Sequence, residues 1–178
     1  MTAWRPGDRR ADTDSMVRVD QAGEYGATRI YAGQLAVLRA NCPEAKLIAR
    51  MAAQEERHLT RFNALMADRR VRPTALQPVW NVAGFALGAV TALMSEKAAL
   101  ACTDAVETVI DRHYGEQLER LGDQDSELSA DIADFRADEL EHRDTARKAG
   151  AGEAPGYPLL TAAIRAGCRV AIELSKRI

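Results

Sequence analysis

Apolar residues recur along most of the chain at the three- and four-residue spacing of an amphipathic helix. The pattern predicts long helices over residues 15–40, 43–70, 95–121 and 126–149, and a last helix over residues 158–176. Asn41-Cys42-Pro43 and residues 122–125 form two short turns, and a glycine- and proline-rich break precedes the last helix. Short turns make consecutive helices antiparallel neighbours, so the sequence predicts two helical hairpins.

A longer link, residues 71–95, joins the two hairpins. Residues 73–94 carry no charge, and Gly84 and Gly88 form a pair of small residues suited to close helix packing. The apolar part, residues 79–94, is short for a transmembrane helix. Two interpretations stand: a helix buried against the bundle, or a helix on a membrane surface beside the basic flank of Arg69, Arg70 and Arg72.

Polar residues interrupt the apolar faces of the four long helices. Residues three apart on a helix share one face, so each of two Glu-x-x-His pairs can direct a carboxylate and an imidazole to the same point. Glu56 falls off the apolar face of the second helix, and Asp138 and Glu141 fall off that of the fourth long helix. The residues on the apolar faces are Glu24, Glu55, His58, Glu107, Glu139 and His142.

The spacing of these residues places them in one layer. Glu24 precedes Glu55 by 31 residues, and Glu107 precedes Glu139 by 32. Each group therefore lies about 16 or 17 residues from the turn of its hairpin, or about 25 Å at 1.5 Å per residue. All six groups are expected to converge at one level of a four-helix core.

Four isolated carboxylates in an apolar core would be very costly, whereas two divalent ions would balance their charge. A glutamate from each of two helices, with Glu-x-x-His from each of the other two, is the di-iron or di-manganese arrangement of ferritin-like bundles. We therefore predict an all-α fold: a ferritin-like four-helix bundle with an extra crossover helix and a C-terminal helix. It forms a single domain over residues 1–178, of which 1–14 are a polar lead-in.

Composition narrows the classes of function. A net charge of −2 gives no basic field for nucleic acid. Three cysteines without Cys-x-x-Cys spacing favour a reducing compartment over a disulfide framework. The N-terminal residues have no apolar core of a secretory signal, and acids interrupt their arginines, which is not typical of a transit peptide.

The chain also resembles a known family, the demethoxyubiquinone hydroxylases of ubiquinone biosynthesis. The likeness extends from about Met16 to the end, and its segments continue well beyond the six metal-site residues. It is carried by RVDQAGEYGA (residues 18–27), AVE (105–107), the dipeptide His113-Tyr114, ELEH (139–142) and AGCRVAI (166–172). The family's metal ligands match Glu24, Glu55, His58, Glu107, Glu139 and His142.

The resemblance implies that two iron ions and O2 hydroxylate the ring of a demethoxyubiquinol, with electrons from NADH. It implies association with a membrane, expected here through residues 79–94, and in eukaryotes a lipid-binding partner protein. If the chain is bacterial, we expect it on the cytoplasmic face of the inner membrane; a homo-oligomer is left open. Residues 79–94 and the last helix are expected to line the path of the polyprenyl tail.

Three further residues are candidates for proton handling or electron entry: His113, Tyr114 and Arg169. His113 lies off the Glu107 face, so an ordinary hydrogen-bonded or solvated histidine is the alternative. Acidic residues one turn from the single glutamates could orient the ligand histidines. The candidates for that role are Asp20, Asp104 and Asp111.

Two other functions fit the same bundle. A ferritin-like iron-oxidising or storage protein would use the same six ligands, but it would not need an uncharged crossover behind an arginine cluster. A non-catalytic quinone-binding bundle would need no iron. Metal content and quinone turnover separate the three.

Overall fold

The computed structural model describes residues 12–177, and these residues form helices and no strand. The predicted all-α fold is confirmed. Within the described residues, six α-helices follow one another, with one 3-10 turn before the last. Their bounds are α1 Thr13–Val37, α2 Pro43–Arg69, α3 Gln77–Met94, α4 Glu96–Leu121, α5 Ser126–Lys148, the 3-10 turn Ala151–Glu153 and α6 Tyr157–Ser175.

The first helix begins and ends earlier than the apolar pattern predicted. The Asp12 side chain accepts a hydrogen bond from the backbone N–H of Ser15 at 3.1 Å, so the helix begins at Thr13. At the other end, Leu38 is already extended. Residues 12–14 therefore belong to the cap and first turn of α1, while residues 1–11 of the predicted lead-in lie outside the described part of the chain.

The bundle consists of the α1–α2 and α4–α5 hairpins, with α3 packed on α1 and α6 packed on α4. Three apolar clusters fill the interior of the described part of the chain, and two of them flank the polar layer. One contains Tyr31, Ile48 and Leu100, and the other contains Phe62 and Leu128. On each of α1, α2, α4 and α5, the polar residues of the layer lie in sequence between residues of these two clusters. Apolar packing therefore closes the layer from above and below.

Helix α3 approaches α1 more closely than ordinary side chains would allow. A Cβ atom added at Gly88 would lie 1.9 Å from the Ile30 carbonyl oxygen, and one at Gly33 would lie 2.1 Å from that of Phe85. The predicted close packing at Gly84 and Gly88 is confirmed, since both are buried.

The interpretation of the crossover segment as a helix buried against the bundle holds for one face of α3, and the membrane-surface interpretation stays a prediction. The glycine face of α3 packs on α1, while Val82 is 70% exposed and Leu93 is 72% exposed. Helix α6 also presents apolar side chains outward: Leu159 is 78% exposed and Val170 is 59% exposed. None of the helices formed by residues 12–177 has the length and apolar character needed to cross a membrane.

Candidate metal centre

The six polar residues selected from the sequence meet in one buried layer. Each is at most 1% exposed. They form two overlapping groups, each with ligand atoms lying within 4.8 Å of one another. The first group is Glu24, Glu55, His58 and Glu139, and the second is Glu55, Glu107, Glu139 and His142.

Glu55 and Glu139 belong to both groups because each divides its two oxygens between them. Glu139 Oε1 lies 3.2 Å from His58 Nδ1, and Glu139 Oε2 lies 3.4 Å from His142 Nδ1. Glu55 Oε1 lies 3.1 Å from His142 Nδ1, and Glu55 Oε2 lies 3.8 Å from His58 Nδ1. Two carboxylates arranged in this way can bridge a pair of ions.

The inward-facing atoms of the layer have no hydrogen-bond partner among the described residues. They are both oxygens of Glu55 and Glu139, Oε2 of Glu24 and Glu107, and Nδ1 of His58 and His142. Buried polar atoms are nearly always paired, so eight unpaired ones facing a common centre need an explanation. Four carboxylates and two imidazoles are a donor set that suits iron or manganese, so the residues fit such a metal pair.

Without an ion, protons have to relieve the repulsion between the carboxylates. Burial, with the charges of Glu139 and Glu24, raises the pKa of Glu55 well above its ordinary value, and burial likewise raises the pKa of Glu107. Burial acts in the same direction on Glu139, but contacts with His142 and His58 outweigh it and bring its pKa to about 2. Burial lowers the pKa of His58, yet contacts with Glu139 and Glu24 raise it to about 10.

Each single glutamate is held by a tyrosine from the opposite hairpin. Tyr31 on α1 donates to Glu107 Oε1 at 2.7 Å, and Tyr114 on α4 donates to Glu24 Oε1. Each tyrosine lies seven residues after the single glutamate of its own helix. The exchange is therefore symmetric, and it leaves the other oxygen of each glutamate directed at the centre. Sequence reasoning missed Tyr31, although its spacing from Glu24, which matches that of Tyr114 from Glu107, could have revealed it.

The outer nitrogens of the two ligand histidines are also held, and by residues that sequence reasoning missed. His58 Nε2 lies 3.0 Å from Asp138 Oδ2, and His142 Nε2 lies 3.0 Å from Gln54 Oε1. In the neutral form of each imidazole, the form that binds a metal, these contacts favour the proton on Nε2 and leave Nδ1 as the metal donor. Asp138 and Gln54 each directly precede the glutamate of a Glu-x-x-His pair, and the helical pattern had placed Asp138 outside the site.

The acids predicted to orient the histidines have other partners, so that prediction is wrong for all three. Asp104, fully buried on α4, accepts from Arg147 at 2.7 Å and from Tyr157. Asp111 pairs with arginines of α5. Asp20 contacts His113 instead of a ligand histidine. Helical phase alone could not show that the neighbouring helices supply these partners.

The three residues proposed to handle protons or admit electrons lie in three different surroundings. Tyr114 contacts the centre through Glu24. His113 is 8% exposed, and its Nε2 lies 3.1 Å from Asp20 Oδ1 and 3.0 Å from Gln117 Nε2, so it is a buried, hydrogen-bonded histidine. Arg169 is exposed on α6. The roles of all three remain predictions.

An apolar cavity of about 510 Å³ lies beside the layer, between α1, α3, α4 and α6. Its wall includes Gly23 and Val106, the residues that directly precede Glu24 and Glu107. Gly167 and Cys168 of α6 form part of the opposite wall, and Trp80 donates to Ser175 Oγ at 3.0 Å where both line it. No residue of α2 or α5 contributes to the lining, so the cavity lies on the side of the single glutamates, although the six polar residues themselves do not line it.

Comparison with known proteins agrees with the resemblance found in the sequence. A family model described as "Ubiquinone biosynthesis protein COQ7" matches residues 11–175. The chain belongs to this family. A 3-demethoxyubiquinol 3-hydroxylase of Rhodospirillum rubrum is 55% identical over 175 residues, covering 97% of this chain and 82% of that protein.

Relatives with similar names occur in eukaryotes. The rat protein named "NADPH-dependent 3-demethoxyubiquinone 3-hydroxylase, mitochondrial" is 52% identical over 172 residues, 94% of this chain and 79% of its own. The Saccharomyces cerevisiae protein named "5-demethoxyubiquinone hydroxylase, mitochondrial" is 45% identical over 181 residues, 93% of this chain and 78% of its own. The prediction of an oxidoreductase in a hydroxylase family of ubiquinone biosynthesis is confirmed.

Proposed function

We propose that this protein hydroxylates the ring of a demethoxyubiquinol with O2, and that the buried layer holds the two iron ions this reaction uses. The observation that carries the proposal is the set of eight unpaired oxygen and nitrogen atoms facing one centre. Membership of the family supports the choice of reaction. The names of the bacterial and rat relatives support the substrate.

In this proposal, Glu24 and His58 would hold one ion, Glu107 and His142 would hold the other, and Glu55 and Glu139, which belong to both groups, would contribute to both. Bound iron supplies the redox chemistry by which one atom of O2 enters the ring and the other leaves as water. The chain's contribution is to hold two ions close together and to keep water from the layer. Tyr31 and Tyr114 restrict the single glutamates, so that each directs one oxygen inward.

The apolar cavity is the proposed substrate site. A quinol ring placed between Gly23 and Val106 would lie beside the single glutamates, and the polyprenyl tail would follow the space between α3 and α6. Exposed apolar side chains of these two helices would rest on a membrane surface and let the tail enter directly from the lipid. In a bacterium, this surface would be the cytoplasmic face of the inner membrane.

Protons and electrons have proposed routes of their own. Tyr114, which donates to Glu24, and His113, which contacts Asp20, are the residues proposed to handle protons. Arg169, exposed on α6, is the proposed contact for an electron donor. NADH is the proposed source of electrons, while the name of the rat relative specifies NADPH, so both nucleotides belong in the assay.

Two alternatives use the same bundle differently. Iron storage would need the six ligands but not an apolar cavity beside the helices that carry the single glutamates, so the cavity favours the hydroxylase. A non-catalytic quinone-binding bundle would need the cavity but not eight inward-facing donor atoms. No second function is favoured by an observation of its own.

The deciding experiment is product analysis. The iron-loaded protein is incubated with O2, a demethoxyubiquinol in detergent and either NADH or NADPH. The quinones are then separated, and their masses are measured by mass spectrometry. We expect one oxygen atom added to the ring, labelled when 18O2 is used. Iron binding without any ring product, together with oxidation of bulk Fe²⁺, would instead support storage.

A further inference from the structure

The two halves of the proposed metal centre match closely, except around the histidines. Each half has one single glutamate held by a tyrosine, one histidine and a share of the same two bridging carboxylates. On the outer side, His58 contacts the carboxylate of Asp138, whereas His142 contacts the neutral amide oxygen of Gln54. This difference separates two otherwise equivalent positions.

The His58 side is also more firmly fixed. The His58 ring stacks on Phe135 with centroids 4.1 Å apart and planes inclined by 26°. Arg57 donates to Asp138 and lies over the same Phe135 ring at 5.7 Å. The position equivalent to Phe135, four residues before the pair's glutamate, holds Met51 in the other half.

A residue that accepts the outer N–H of a ligand histidine fixes the ring and makes its other nitrogen a stronger donor. A carboxylate does both more strongly than an amide oxygen, since its hydrogen bond to the imidazole is assisted by charge. Arg57 tempers the charge of Asp138 but also holds that carboxylate in place. The His58 ring therefore offers the better donor and loses less conformational freedom when it binds.

From this we infer that the two metal positions are unequal: Asp138 makes the Glu24–His58 position bind its ion first and more tightly than the Glu107–His142 position. Asp138 and Gln54 are positioning residues that act through the histidines. The inference rests on the proposed metal centre and assigns the order in which that centre fills. Tight binding at one position would leave the other as the labile one.

The test uses the full chain, freed of metal and titrated with Co²⁺ or, without oxygen, with Fe²⁺. Native mass spectrometry counts chains with no, one and two ions, and NMR of the Co²⁺ protein follows the shifted N–H signals of the bound imidazoles. In the unaltered protein we expect the one-ion species to dominate at one equivalent of metal. One shifted imidazole signal should appear first, and a second only with the second ion.

Two substitutions should each reduce the difference in affinity between the two metal positions, one by weakening the first position and the other by strengthening the second. Asp138→Asn should weaken the first binding step by about 10- to 100-fold, the usual cost of losing such a partner, and should let the two steps merge. Gln54→Glu should strengthen the second step by giving His142 a carboxylate partner. Asp134→Asn is the matched control, because Asp134 also lies on α5 and pairs with Arg57 at 3.4 Å but is not a hydrogen-bond partner of His58.

The outcomes separate this inference from the proposed function. A protein that binds neither Co²⁺ nor Fe²⁺ would overturn both. Two ions bound with one affinity, and unaffected or equally affected by Asp138→Asn and Asp134→Asn, would overturn the inequality while leaving the metal centre intact. If Asp138→Asn unfolds the chain, Gln54→Glu decides alone: an unchanged second step would refute the inference.

Discussion

The two sides of the buried polar layer are closed by different kinds of residue, charged on one side and apolar on the other. On the α2–α5 side, arginines of α2 reach acids of α5 in a row of ion pairs. On the α1–α4 side, the cover consists of α3 and α6, with small and apolar residues around a cavity of about 510 Å³. The Glu-x-x-His pairs belong to the first side and the single glutamates to the second.

This difference would allow one bundle both to hold the proposed metal pair and to admit an apolar substrate. Ion pairs on the α2–α5 side close the surface with groups that remain compatible with water, and one of them, Arg57 with Asp138, continues to His58. The α1–α4 side is closed only by two helices that share few polar contacts with the core. Access to the layer is therefore expected from α3 and α6, and the following predictions test that division.

The largest effect should come from removing the ions that both sides enclose. Chelation of two bound ions is expected to cost about 4 kcal/mol or more, which lowers Tm by about 10 °C for a chain of this size. Scanning calorimetry of the loaded and stripped protein measures this. An unchanged Tm after complete metal removal would contradict a metal centre between the two sides.

The stripped protein should also become less stable as pH rises from about 6 to about 9. The raised pKa values of Glu55 and Glu107 stabilise the fold below their ordinary value of 4.5, and this contribution is lost as pH rises above it. His58, with a pKa of about 10, adds stability that is fully present below 6.5 and is lost as pH rises towards 10. The lowered pKa of Glu139 changes stability only below 4.5. A melting temperature that rises with pH across this interval would contradict these directions of the pKa shifts.

A bridging carboxylate should matter more than any residue on either side. Glu55→Gln keeps the shape of the side chain but removes a charge and a donor oxygen shared by both positions. We expect hydroxylation to fall by more than about 100-fold, beyond the loss of an outer partner, with less than two ions bound per chain. Glu56→Gln is the control, since the exposed Glu56 lies one residue away and should leave both quantities unchanged.

Filling the cavity should lower turnover of the quinol without changing the amount of bound iron. A Cβ at Gly167 meets no atom within 4 Å, so Gly167→Leu can extend into the cavity without displacing the backbone. We expect kcat/KM for the quinol to fall by about tenfold or more, equivalent to about 1.4 kcal/mol, with iron content retained. Gly152→Leu, at a glycine equally free of neighbours but outside the cavity, is the control. Equal activity of the two variants would place the substrate elsewhere.

The sequence predicted which residues form the buried polar layer better than it predicted what surrounds that layer. Helical period and matched distances from two turns were enough to select Glu55 and its five companions, because buried polar residues break an apolar pattern visibly. Asp138 and Gln54 break no pattern, since each lies one residue off the apolar face. Only a comparison of the residues before the two Glu-x-x-His pairs could have suggested them.

The cavity left no signal of its own in the sequence. Its walls rely on small residues such as Gly23 and Gly167, and an absent side chain looks the same in a turn, a tight helix contact or a void. The apolar character of α3 was evident, but its division into a packed and an exposed face depends on where α1 lies. The ends of α1 depended on the Asp12 cap and the extended Leu38, which apolar periodicity does not describe.

The smallest effect is expected on the ion-paired side away from the layer. Arg69 contacts Asp125 and Glu127, and the side chains of the Arg69–Asp125 pair are 20% and 18% exposed. Arg69→Met keeps the apolar stem and should cost about 1 kcal/mol, or about 2–4 °C in Tm. Arg112→Met breaks a pair with Glu116 whose side chains are 77% and 53% exposed, and it should change Tm by less.

Both variants should hydroxylate at the unaltered rate, because neither residue touches the cavity or the histidine partners. A loss of activity in Arg69→Met at full stability would show that the α2–α5 side takes part in the reaction, and the division between a closed side and an open side would fail.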